Sequence, residues 1–424
     1  MRHLEVDPAK DPITSEILLP VQLRTANDPW LPGLIYFECG EATEEFIPYV
    51  PLFLSPQTIH INFSFAEDTP TMADASMISR FPTLCPNLRS ITLDKLPKAP
   101  VITEAVSEML LACNRDTLET FEVDSPLTEE AREVVYRLPE LYSLWVVIQG
   151  PISLPTVALP NLTHLDVQFD DDLNWLQGFR GATLEKLVSA VFLSESEEIG
   201  DFLGAFEKVV TVTSAKNTLS EFRLCTSRSW NPNYSALLSF NQLKELEIQF
   251  SCEGICSSRV DDDIIMSLAR AMPKLEILLL GDAPCETPTG ITVNGLIGLA
   301  RLCPHLSKLC IHFQAASLVE AVTSAVTLSP SNGEQTVQRE GCALTDLEVG
   351  GIPIPARSES TVAHILLQVF PRILNVEYTN RDWKTVAETI KYFSQIATFV
   401  HRTGKAHPSR LTICDDTLPG NATV

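Results

Sequence analysis

One short design recurs along the chain and restricts what it can fold into. It is L-x-x-L-x-L opened by Pro-x-Leu, clearest in PNLRSITL from Pro86, PELYSLWV from Pro139, PNLTHLDV from Pro160, PKLEILLL from Pro273 and PHLSKLCI from Pro304. Apolar residues fall at positions 1, 4 and 6, as in Leu88, Ile91 and Leu93, or Leu141, Leu144 and Val146. Copies without the proline start at Leu118, Leu219, Leu243, Leu344 and Ile373, and weaker ones at Met1, Leu34, Pro56 and Leu184. Between them lie stretches with apolar residues at i, i+3, i+4 and i+7: 102–113, 128–138, 261–272, 293–303 and 360–370. Strand, loop, helix, loop is therefore the expected unit.

First positions run from 1 to 373 in 13 steps, so the mean step is 372/13, about 28.6 residues. That spacing is in the range of leucine-rich repeats. One such unit cannot stand alone. Burying three or four side chains at about 1.5–3 kcal/mol each does not offset roughly 1–2 kcal/mol of backbone entropy per residue. Stacking lets neighbours share a core. The expected fold class is thus α/β, a leucine-rich-repeat solenoid with parallel strands on a concave face and helices on the convex one. A set of unrelated α/β domains is the alternative. Residues 1–380 should form about 14 irregular repeats, and residues 381–424 a capping helix and tail, because KTVAETIKYFSQIATFVHR after Trp383 is amphipathic and a short strand could follow at 411–414. Ser329 to Gly341 has no apolar periodicity and is expected to be an inserted loop.

The 54 acidic against 31 basic residues give a net charge of −23. Such a chain repels phosphate, so neither nucleic acid nor an anionic membrane is an expected partner. The start MRHLEVDPAKD has no apolar signal segment, and 11 cysteines without tandem spacing fit reduced, buried thiols in a cytoplasmic or nuclear protein. No enzyme is expected. Nucleophile-elbow, His-Glu-x-x-His, dinucleotide and phosphate-loop patterns are absent. No cofactor or metal is expected either: Cys252 and Cys256 have no second ligand pair, and Asp261 to Asp263 precede a helical pattern as a cap. Asp170 to Asp172 are expected in a solvated loop, and His164, His305 and His312 as surface histidines.

If positions 4 and 6 point into the core, positions 3, 5 and 7 point out. Among those 42 residues 13 are acidic and only Lys186, Arg223 and Lys308 are basic. Acids thus reach 31% of the face against 54 of 424, or 13%, in the chain, while bases stay at 7%. Like charges on strands about 4.8 Å apart repel by roughly 1 kcal/mol even in water. A basic protein segment would relieve that cost. The expected contact residues are Glu122, Asp124, Asp166, Glu221, Glu245, Glu247, Asp346, Glu348 and Glu377, with Trp145, Ile277 and Leu279 as apolar anchors.

The segments FPTLCPNLRSITL, MPKLEILLL and LCPHLSKLCIHF resemble the leucine-rich-repeat half of F-box proteins, especially the fungal families with irregular repeats. The resemblance runs from Met1 to about Tyr378 and departs at the ninth repeat position, where Leu96, Gln149, Asp170, Ser227, Ser251, Ala283 and Gln314 replace the usual Asn or Cys. It implies recognition of substrates for a Skp–cullin–F-box ubiquitin ligase, the chemistry being left to other subunits. The F-box itself is not visible. Only Pro12 to Leu19 superficially matches its opening, and Pro20 follows at once. Met1 sits inside a repeat pattern, so the chain is expected to be the C-terminal portion of a longer product, with Skp-type adaptor and cullin as partners if an F-box is encoded upstream. A repeat scaffold unconnected with ubiquitin is the alternative.

Overall fold

Fourteen short strands pair in chain order into one open sheet, and every pairing is parallel. They are β1 His3–Val6, β2 Tyr36–Ala42, β3 His60–Phe65, β4 Ser90–Asp94, β5 Thr120–Pro126, β6 Ser143–Ile148 and β7 His164–Phe169, then β8 Lys186–Val191, β9 Glu221–Thr226, β10 Glu245–Phe250, β11 Ile277–Leu280, β12 Lys308–Ile311, β13 Asp346–Val349 and β14 Asn375–Tyr378. The computed structural model describes residues 1–8, 10, 16, 18–20, 29–66, 71–148, 159–169, 182–191, 203, 217–226, 234–250, 260–281, 289–323, 342–349 and 352–403.

Register follows the repeat. Position 4 pairs with position 4 in Ile91–Phe121, Leu144–Leu165 and Leu246–Leu278, and position 6 likewise in Leu93–Val123 and Ile248–Leu280. The unit expected to start at Pro56 is displaced by two residues. Ile61 pairs with Phe37 and Ile91, so Ile61 and Phe63 hold positions 4 and 6 and the unit starts at Thr58. A two-residue slip keeps every side chain on its own face, so alternation could not detect it. Thr58 takes the usual leucine place because its buried hydroxyl donates to the Leu34 carbonyl at 3.1 Å.

Helices form between the strands: α1 Met72–Leu84, α2 Pro100–Ala112, α3 Glu129–Val135, α4 Asp262–Ala271, α5 Val293–Leu302, α6 Ala315–Thr323, α7 Glu359–Val369 and α8 Trp383–Thr403, with short 3-10 turns at Ile47–Leu52 and Tyr234–Ser239. Five of the expected helices lie within about three residues of the pattern. The helix α1 was not anticipated, although Thr71 and Asp74 close a reciprocal capping box at its start. Asp261 caps α4 as expected, accepting from the Ile264 N–H at 2.9 Å, and Thr128 caps α3.

Inward positions 4 and 6 and one stripe of each helix make one core, continuous from Val6 to Ile390. Neighbouring helices pack in sequence, α1 on α2, α4 on α5 and α7 on α8. Hydroxyls stitch the units where an asparagine ladder is missing. Thr163, Ser220, Ser307 and Thr345, all at position 2, donate to the position-2 carbonyls of Tyr142, Glu185, Glu276 and Ser307 at 3.0 to 3.3 Å.

At the far end α8 packs on α7 and β14, burying Trp383, Val386 and Ile390. The Trp383 indole N–H donates to the Ile352 carbonyl at 2.8 Å, and its ring meets Phe313 edge-on. The expected strand at 411–414, the loop 329–341, Cys252, Cys256, Asp170 to Asp172 and most of Pro12 to Leu19 lie outside the described residues. Among the described residues no helix is long and apolar enough to cross a membrane.

Candidate binding face

Positions 3, 5 and 7 do form the opposite face of the sheet: along β3, β6 and β7 half-buried and buried residues alternate strictly. With the corrected register Ser64 and not Thr58 lies on this face, so its number of acids is unchanged. The expected contact residues fall on this face in three groups. Glu122, Trp145 and Asp166 are consecutive register partners across β5, β6 and β7, with Asp124 two residues beyond Glu122. Glu221, Glu245 and Ile277 make one row across β9 to β11, and Arg223, Glu247 and Leu279 the next. Asp346, Glu348 and Glu377 lie on β13 and β14, where Glu348 faces Glu377.

The groups differ electrostatically. In the second, Lys186 Nζ lies 3.1 Å from Glu221, and Arg223 lies 2.9 Å from Glu245 and 3.3 Å from Glu247. Two cations thus offset three carboxylates within the face and leave a net charge of only −1 there. Simple counting of acids and bases could not reveal that the two cations are flanked by these three carboxylates. Asp346 is likewise settled: hydrogen bonds from Thr345 and Asn375 hold its carboxyl below the usual range.

The first group is different. Among the described residues none of Asp94, Glu122, Asp124 and Asp166 has a cation within ion-pair distance. Burial pushes the Asp94 carboxyl up, with Asp124 and Glu122 adding to it, and burial pushes Asp124 up as well. Asp166 is pushed up to about 6, chiefly by burial and then by Glu122. Glu122 accepts from Ser143 Oγ at 2.7 Å and Thr92 Oγ1 at 3.2 Å, and Asp124 from the Leu96 N–H at 3.0 Å. Beside them the Trp145 indole nitrogen is buried with no hydrogen-bond partner. Asp94 is not among the expected contact residues. The signal for it in the sequence is its position-7 place, the same as that of Asp124 in the next repeat.

Chemistry elsewhere is sparse. Burial pushes the thiols of Cys39, Cys85, Cys113 and Cys303 up to about 12, so they stay protonated and are poor nucleophiles. His312, expected at the surface, is 1% exposed just past β12, because its strand end is covered by the core. His3, Glu5 and Glu38 bring ligand atoms within 4.8 Å of one another on β1 and β2, in an exposed setting of the kind that is common without an ion. No protein-family model matches the chain, and no curated protein matches it.

Proposed function

We propose that the chain is a leucine-rich-repeat interaction module that binds a basic segment of a partner protein on the open, concave side of its sheet. The observation that carries this reading is the unpaired quartet Asp94, Glu122, Asp124 and Asp166 around Trp145. Burial holds Asp94, Asp124 and Asp166 partly out of water beside Glu122 with no cation in direct contact, a standing cost, and a guanidinium or ammonium brought by a partner lowers it. The period of about 28.6 residues supports the repeat class, and the fungal F-box resemblance supports a role as the substrate-recognition part of a Skp–cullin–F-box ubiquitin ligase receptor. No cofactor enters this reading, and the chain itself is not the enzyme.

Affinity purification of the full-length gene product, alongside the double variant Glu122→Gln/Asp166→Asn, tests it. Recovery of Skp-type adaptor and cullin with both proteins, and of a basic partner with the unaltered one alone, is the expected result. A basic partner without adaptor or cullin favours a repeat scaffold unconnected with ubiquitin. Equal recovery of the partner by the double variant overturns the assignment of the face.

A further inference from the structure

A groove opens where β5, β6 and β7 end, against the first turns of α2 and α3, with a volume of about 700 Å3. Asp124 and Val147 form its side toward the open face, Leu127 and Phe169 its buried apolar floor, and Lys98 and Pro100 its far wall. Asp124 belongs to both the groove and the unpaired quartet, so the two are one continuous surface. Asp94 sits beside it across the β4–β5 pair, next after the Leu93–Val123 register.

We propose that the groove receives an apolar side chain of the partner segment, two residues from an Arg or Lys that is held by Asp124 and Asp94. This rests on the reading of the open face as a protein-binding surface. The spacing follows from geometry, because residues i and i+2 of an extended segment point the same way. The charge pattern limits the segment to one cation at this place. On the far wall Lys98 is offset by Glu104, so no net negative charge there draws a second cation. The floor of Leu127 and Phe169, 5% and 2% exposed, is apolar and suits an aliphatic side chain, with Thr103, Thr128 and Gln168 lining the groove around it. The expected recognition element is therefore basic-x-apolar and not a run of basic residues.

Fluorescence anisotropy with the full chain and two labelled ten-residue peptides, one centred on Arg-Ala-Ile and one on Arg-Ala-Ser, tests this. The Ile peptide should bind about tenfold more tightly, as expected for burying one aliphatic side chain. Thr103→Tyr and, separately, Val147→Phe fill the groove without changing its charge. Each should abolish that preference while leaving the Ser peptide's affinity unchanged. Equal binding of both peptides by the unaltered chain, with both weakened by Glu122→Gln/Asp166→Asn, overturns the groove assignment and leaves the face reading standing. Binding of neither peptide overturns both.

Discussion

Arg223 on β9 reaches across to Glu245 on β10, Nη2 to Oε2 at 2.9 Å, while its Nε lies 3.3 Å from Glu247. One guanidinium thus holds two carboxylates that project from the same strand. This half of the face is largely compensated by ion pairs within it, and the half around Trp145 has none.

Arg223→Gln should therefore leave Glu245 and Glu247 to repel each other. With the side chain 39% exposed, solvent screens much of the effect, so the expected loss is about 0.5–1 kcal/mol at low salt. Urea unfolding at 20 mM and 500 mM NaCl checks this, the difference shrinking as the Debye length falls. An equal loss at both salts would show that packing, not charge, is what Arg223 supplies.

Asp166 predicts a pH dependence of definite sign. Its carboxyl is raised from an ordinary value of 3.8 to about 6, so the folded chain binds the proton more tightly than the unfolded one. The destabilisation is complete at pH 7, is relieved as pH falls through about 6, and is gone below about 4. Asp166→Asn should be more stable than the natural chain by about 1–3 kcal/mol at pH 7, with the gap closing toward pH 4. Denaturation midpoints across that range measure it.

Gly295 reverses the usual rule for a helical glycine. Alanine there would gain about 1 kcal/mol of helix propensity. Its Cβ, however, would come 2.5 Å from Asp262 Oδ1, the oxygen that accepts from the Thr292 N–H at 2.7 Å. Asp262 would have to leave Thr292, whose hydroxyl it also accepts at 2.5 Å. Gly295→Ala is expected to cost about 1–2 kcal/mol net, read from guanidinium unfolding. A gain in stability would show that Asp262 moves freely.

Trp383 fastens the terminal helix. It is wholly buried, meets Phe313 edge-on and donates to the Ile352 carbonyl. Trp383→Ala should cost about 3–5 kcal/mol, and Trp383→Phe less, although it leaves the carbonyl without its donor. Hydrogen exchange should show α8 losing protection before the strands of the first repeats do.

Much of the architecture was legible in the residues. Leu88, Ile91 and Leu93, or Leu162, Leu165 and Val167, fix strand phase because a period of two with one buried face permits few registers. Asp261 and Thr128 announce their helices because a side-chain oxygen before an apolar stripe satisfies free N–H groups. The misplaced start at Pro56 marks the limit, since Ile59 and Ile61 satisfy the same alternation as Ile61 and Phe63. Helix α1 has no clear apolar stripe in the sequence, because Pro82 and several small residues blur it.

The sequence by itself determined the repeat, the parallel order of its strands, the facing of positions 3, 5 and 7, and the excess of acid on them. Each of these follows from local periodicity. Only the tertiary structure decided which acids are already paired. Lys186, Arg223, Glu221, Glu245 and Glu247 become neighbours through register across strands, and for the same reason Asp94, Glu122, Asp124 and Asp166 are left together with no cation in direct contact, Lys95, Lys98, Lys186 and Arg223 acting on them only at longer range. Charge pairing depends on distances between units some 20 to 30 residues apart, and pattern along the chain carries no record of them.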